Sequence, residues 1–139
     1  MRVLLDTCVV SELRRTKANP LVRRAVESLD SEDLFLSVIS VGEIAKGVAL
    51  LREAKKRDEL RGWMHSLEHD YADRILGVDL ETSHLWGELS AEAQKSGKIV
   101  PASDGLIAAT ARVHGLHVMT RNTEHFRVAG VLLINPWVS

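Results

Sequence analysis

Three carboxylates far apart in the chain, Asp6, Glu43 and Asp104, are the side chains best suited to chemistry. If folding brings them together, each raises its neighbours' pKa unless a cation sits among them. A donor set of oxygens alone, with no supporting thiolates, selects a hard ion such as Mg²⁺ or Mn²⁺. Such ions activate water and stabilise a leaving oxygen, which suits hydrolysis of a phosphodiester. Taken singly, each acid has a plainer reading. Asp6 can cap a following helix. Ser40-Val-Gly-Glu43 spells a capping box, with Glu43 reaching back to the Ser40 amide. Asp104 can cap a helix or lie in its first turn, where the helix dipole favours a negative group.

The surrounding elements decide between these readings. Apolar runs at Val3–Leu5, Leu34–Val38, Ile75–Val78, His117–Thr120 and Val131–Ile134 lack polar alternation. Such runs suit strands buried on both faces, hence a parallel sheet. Helical patterns lie between them, at Val9–Arg15, Leu21–Leu29, Val41–Leu51, Glu53–His69, Ser83–Ser96 and Asp104–His114. Small residues at Ala108, Ala109 and Ala111 let the last of these lie close on a sheet. The alternation predicts one α/β domain, residues 1–139: a three-layer sandwich with a central, mostly parallel, five-stranded sheet and helices on both faces. Such sheets carry functional residues at the carboxyl ends of their strands. That rule singles out Asp6 after the first strand, Ser40-Val-Gly-Glu43 after the second, Asp79-Leu-Glu81 after the third and Thr120-Arg-Asn-Thr-Glu124 after the fourth, while Ser103-Asp104 stands ahead of the helix leading to the fourth.

Other chemistries lack their signatures. There is no P-loop, no GxGxxG fingerprint and no GxSxG elbow. A receiver or phosphatase layout needs paired acids after the first strand, and Asp6 is followed by Thr7 and Cys8. His65 and His69 share a helix face without a third ligand, in a strongly charged stretch that reads as solvated. Trp63, Trp86 and Trp137 are too scattered for a stacking platform, and core or subunit-contact roles suit them better. The 139 residues carry a net charge of −1, so composition does not announce a nucleic-acid binder. Local basic clusters exist at Arg14, Arg15 and Lys17, at Arg23 and Arg24, and at Lys55 to Arg57. With Lys46, Arg14 and Arg15 offer positive charge for the phosphates of a substrate. The lone cysteine, Cys8, permits no internal disulfide and suggests a reducing, cytoplasmic setting. The first ten residues are too short and too soon acidic for a signal peptide.

Three segments, LLDTCVVSEL, LSVISVGEIAKGVALL and IVPASDGLIAATARVHGLHVMTRNTEHF, together with the closing VLLINPW, resemble PIN-domain nucleases. Within that family the chain resembles VapC-type toxins, and among them the FitB-like subgroup. The resemblance implies a PIN-like fold and a Mg²⁺- or Mn²⁺-dependent ribonuclease. Asp6, Glu43 and Asp104 correspond to the family's metal-binding acids. Asn122 stands where many members carry a fourth acid, and Glu124 lies close enough in sequence to compensate in part. Thr120 matches a position that orders water at the metal, and Thr7 stands beside the first acid. Cys8 replaces the more common Asn or Ser and reads as a small buried residue.

The resemblance further implies a tRNA or ribosomal RNA substrate, a homodimer, and a cognate antitoxin whose extended tail fills the active-site groove. Cleavage by activated water would leave a 5′-phosphate and a 3′-hydroxyl. The alternatives are a PIN nuclease of RNA maturation or decay outside any toxin system, and a catalytically impaired module that only binds RNA or a partner.

Overall fold

The computed structural model describes residues 1–138. In chain order the elements are β1 (Val3–Leu5), α1 (Thr7–Arg14), α2 (Pro20–Glu27), a 3₁₀ turn (Ser31–Asp33), β2 (Leu34–Ser37), α3 (Val38–Ala49) and α4 (Ala54–Asp70). They continue with β3 (Ile75–Leu76), α5 (Leu80–Lys95), α6 (Ala102–His114), β4 (His117–Met119), α7 (Thr123–Arg127) and β5 (Leu133–Ile134). The five strands form one sheet in the order β3-β2-β1-β4-β5. Every pairing in it is parallel. The expected architecture therefore holds.

The central strand explains the three layers. Val3, Leu4 and Leu5 are all buried, as a strand covered on both faces requires. Their side chains alternate. Val3 and Leu5 join Val9, Val22, Ile44 and Val48 on one face of the sheet. Leu4 joins Ile107, Ala108, Ala111, Val118 and Phe126 on the other. The small side chains of α6 let its backbone approach the sheet closely, as the sequence suggests. That helix ends at Gly115, whose φ of 66° is the left-handed conformation a terminating glycine supplies.

Two helices, the third and the fifth, begin three residues ahead of expectation. The third begins at Val38 rather than Val41, because the Ser37 hydroxyl accepts the Ile39 amide at 3.0 Å and caps it. Ser40 lies inside the helix, so the capping box with Glu43 does not form. The fifth begins at Leu80 rather than Ser83, capped by Asp79, which accepts both the amide and the hydroxyl of Thr82. Those bonds hold the Asp79 carboxyl below its usual range. Finally, α7 has no counterpart among the expected elements; its five residues are too few to display a period.

Candidate active site

From β1 the sheet grows outward to β2 and β3 on one side, and to β4 and β5 on the other. The carboxyl ends of β1 and β4 thus flank the point where strand order reverses, the usual place for a crevice. Asp6 follows β1 and Thr120 follows β4. The Asp6 amide donates to the Met119 carbonyl at 3.0 Å, tying the two strand ends together. Asp6 also caps α1, accepting the Thr7 amide on Oδ1 at 2.8 Å. Its other oxygen, Oδ2, accepts the Thr120 hydroxyl at 2.7 Å. Cys8 Sγ lies 3.6 Å from the same oxygen and accepts the Arg121 amide at 3.5 Å. Cys8 is therefore part of this network, not merely a small side chain filling space.

Every one of these donors to Asp6 is neutral. Burial pushes the Asp6 carboxyl above its ordinary value, against the lowering effect of the Thr120 and Thr7 bonds. The charge of Asp104 pushes it the same way, which places the two acids within electrostatic reach. Burial likewise raises the Cys8 thiol, so sulfur remains protonated and is a poor ligand for a hard ion.

Glu43 arrives on α3. Its Oε1 lies 2.7 Å from Thr7 Oγ1, which in turn lies 2.9 Å from Ser40 Oγ. A carboxylate only accepts, so Thr7 donates to Glu43 and is left to accept from Ser40. Asp104 sits in the first turn of α6 and is largely buried. Its Oδ2 lies 2.6 Å from Nδ1 of His125, on α7. Thus Asp6 and Glu43 are linked through adjacent residues of α1, and Asp104 acts on Asp6 through its charge. Among the described residues, however, no three His, Cys, Asp or Glu side chains form a ready-made metal cluster. Glu43 is turned to Thr7 and Asp104 to His125. The donor chemistry fits a hard divalent ion, since carboxylates line the crevice and the one thiol stays protonated. Taking all three acids as ligands requires Glu43 and Asp104 to exchange protein donors for the ion.

The remaining expected residues divide. Asn122 is exposed; its amide donates to Thr120 Oγ1 at 2.9 Å, while its side chain makes no capping bond. Glu124 does not join the acids, because it pairs with Arg127 one turn along α7 and is 82% exposed. Arg15 pairs with Glu12 at 3.2 Å and stays largely exposed. Arg14 lines a cavity beside Glu43, and Lys46 is exposed on α3. His125 and Ser40 belong to the network without having been singled out. The pairing of Asp104 with His125 has no sequence period to reveal it, and the sequence around Ser40 spells a helix cap instead. His65 and His69 face solvent, as expected.

The PIN domain family matches the chain over residues 3–131. The chain belongs to the PIN-domain family. This PIN domain is 41% identical to Toxin FitB of Neisseria gonorrhoeae, across 97% of the chain and 98% of that protein. It is 38% identical to VapC ribonuclease Y4jK of Sinorhizobium fredii, across 97% of each. The crystal structure of FitAcB from Neisseria gonorrhoeae superposes with a TM-score of 0.93 at 40% identity, covering 99% of both chains. The resemblance to the FitB-like group therefore holds in sequence and in fold.

Proposed function

We propose that this PIN domain is a divalent-metal-dependent endoribonuclease and the toxin half of a toxin–antitoxin pair. Similarity along the full length of Toxin FitB and of a VapC ribonuclease supports the class. The observation that carries the chemistry is Asp6: buried, bonded only by neutral donors, and raised in pKa with a second carboxylate adding to the effect. A carboxylate so placed gains most from a cation. Asp6, Asp104 and Glu43 would hold Mg²⁺ or Mn²⁺, which supplies activation of water and charge neutralisation at the leaving oxygen.

The chain's own residues orient that centre. Thr120 and the Thr7 amide fix both oxygens of Asp6. Thr7 steers Glu43, and His125 steers Asp104. With Asn122 neutral and Glu124 turned to solvent, the acids support one ion rather than two. Arg14 and Lys46 provide positive charge along the approach. No ribose hydroxyl is needed, so the products carry a 5′-phosphate and a 3′-hydroxyl. The partners in this reading are a tRNA or ribosomal RNA, a small antitoxin and a second copy of the chain. The setting in this reading is the reducing cytoplasm, where a lone thiol such as Cys8 is at home. No helix of the described residues is long and apolar enough to cross a membrane.

The test is to express the protein and the Asp104→Asn variant and sequence the RNA ends that accumulate. New 5′-phosphate ends at defined sites with the wild type alone are expected. Identical end profiles from the two proteins would refute the assignment.

A further inference from the structure

Arg121 directly follows Thr120, the residue whose hydroxyl bonds to Asp6. It is exposed, and its guanidinium lies 5.1 Å from the centre of the Trp137 ring. Backbone bonds fix this pair relative to the acids. The Thr120 amide donates to the Ile134 carbonyl at 2.9 Å, which aligns the end of β4 with the end of β5. The Arg121 amide donates to Cys8 Sγ at 3.5 Å. The Trp137 amide donates to Asn135 Oδ1 at 3.0 Å, closing the turn that presents the indole. Trp137 is half-buried against the core on the Val3 and Leu5 face of the sheet. We infer that Arg121, laid on Trp137, binds an RNA phosphate next to the one being cut. The inference rests on the ribonuclease reading.

The way this arginine is held sets it apart. Arg15, Arg61 and Arg127 each pair with an acid, which offsets their charge and occupies donors. An indole holds a guanidinium by its face and leaves the in-plane donors free. Among the described residues no acid lies within ion-pair distance of Arg121, and its side chain donates no hydrogen bond. The charge of Glu12 is felt nearby, but the Glu12 oxygens already accept from the Asn19 amide and from Arg15. A planar fork of unused donors, held in advance, matches a phosphate. The position argues for a nucleic-acid strand. Arg14 stacks on Trp63 of α4, and Lys46 lies on α3. Those two helices join β2 to β3 on one side of β1, whereas β4 and β5 lie on the other. A polyanion crossing the carboxyl ends of the strands needs positive charge on both sides of the acids that repel it. Arg121 supplies the second side. An acidic peptide offers a carboxylate only where its sequence places one, while RNA brings a phosphate with every nucleotide.

Arg121→Gln leaves a polar side chain at an exposed position, so the fold should survive. The experiment measures binding of a randomised single-stranded RNA to the Asp104→Asn protein in Mg²⁺ across a salt titration. It is repeated with Arg121→Gln and with Arg121→Lys added. Loss of one phosphate contact should weaken binding about tenfold and lessen the slope of log affinity against log salt by about 0.7. Lysine should restore the slope but only part of the affinity, because an ammonium lacks the planar fork that lies on the indole. Affinity and slope both unchanged in Arg121→Gln would overturn the inference while leaving the ribonuclease reading intact. So would weaker binding with an unchanged slope, the result of a purely structural role. Unchanged RNA binding with lost binding of polyglutamate would overturn it too, by assigning Arg121 to an acidic protein partner. A wild type that cuts no RNA in Mn²⁺ would sink the underlying reading as well.

Discussion

Asp6 and Glu12 stand at the two ends of one helix, both largely covered, and their surroundings oppose each other. Glu12 accepts the Asn19 amide at 2.9 Å and pairs with Arg15, and these contacts hold its carboxyl below the usual range. The positive charge of Arg121 adds to the effect. Asp6 has no cationic partner in its hydrogen bonds and faces the charge of Asp104. One acid is therefore complete within the protein, whereas the other is left to be completed by something positive. The contrast separates a carboxylate that builds the fold from one kept for chemistry, and neither burial nor sequence position makes that distinction.

The most severe way to break the contrast is Asp6→Asn. Several kcal/mol of transition-state stabilisation should vanish, cutting cleavage by about a thousandfold or more in a Mn²⁺-dependent RNA assay. Asparagine still caps α1, so the fold should survive. Metal-free stability should rise by about 0.5–2 kcal/mol in urea unfolding, as often happens when an active-site charge is removed. Retained activity would remove Asp6 from the mechanism.

Next in size is His125→Gln, which leaves Asp104 without its oriented partner. Activity and Mn²⁺ affinity should each fall about 10- to 100-fold, the usual effect of losing a group that orients a ligand. Calorimetric Mn²⁺ titration that matches wild type would exclude the orienting role. Glu12→Ala should do the reverse of Asp6→Asn, lowering the melting temperature while sparing the chemistry, because the Asn19 amide and Arg15 lose their acceptor.

The smallest effect is in pH. The folded Asp6 carboxyl titrates above 3.8, so its destabilising contribution is absent below that value and complete once the pH exceeds the folded value. Glu12 titrates below 4.5 when folded, so its stabilisation is present above 4.5 and is lost as the pH falls through the folded value. In EDTA, Asp6→Asn should therefore gain on wild type as the pH rises, and Glu12→Gln should lose on it. Parallel curves of unfolding midpoint against pH would show that neither acid is perturbed as described.

Much of this was legible in the residues. Unbroken apolar runs announced a parallel sheet, and Val3 to Leu5 indeed lie at its centre. Asp6 is legible because strand ends in such sheets are predictable places, and Asp104 because it opens the helix that leads back into the sheet at β4. The helix starts were less legible, since Ser37, Ser40 and Asp79 are all competent caps and only packing selects among them. His125 was invisible because its partner is 21 residues away on another helix. The cavity beside Glu43 was equally hidden, since residues from three helices form it. The pairing of Arg15 with Glu12 was not legible, since a run of basic residues does not display its counter-ions.

The hydrogen bond from Thr120 to Asp6 joins residues 114 positions apart. The strand that aligns the first acid, β4, is therefore remote in sequence from the acid it aligns. A chain cut before His117 keeps Asp6, Glu43 and Asp104 but loses the neighbour that fixes Asp6 in place.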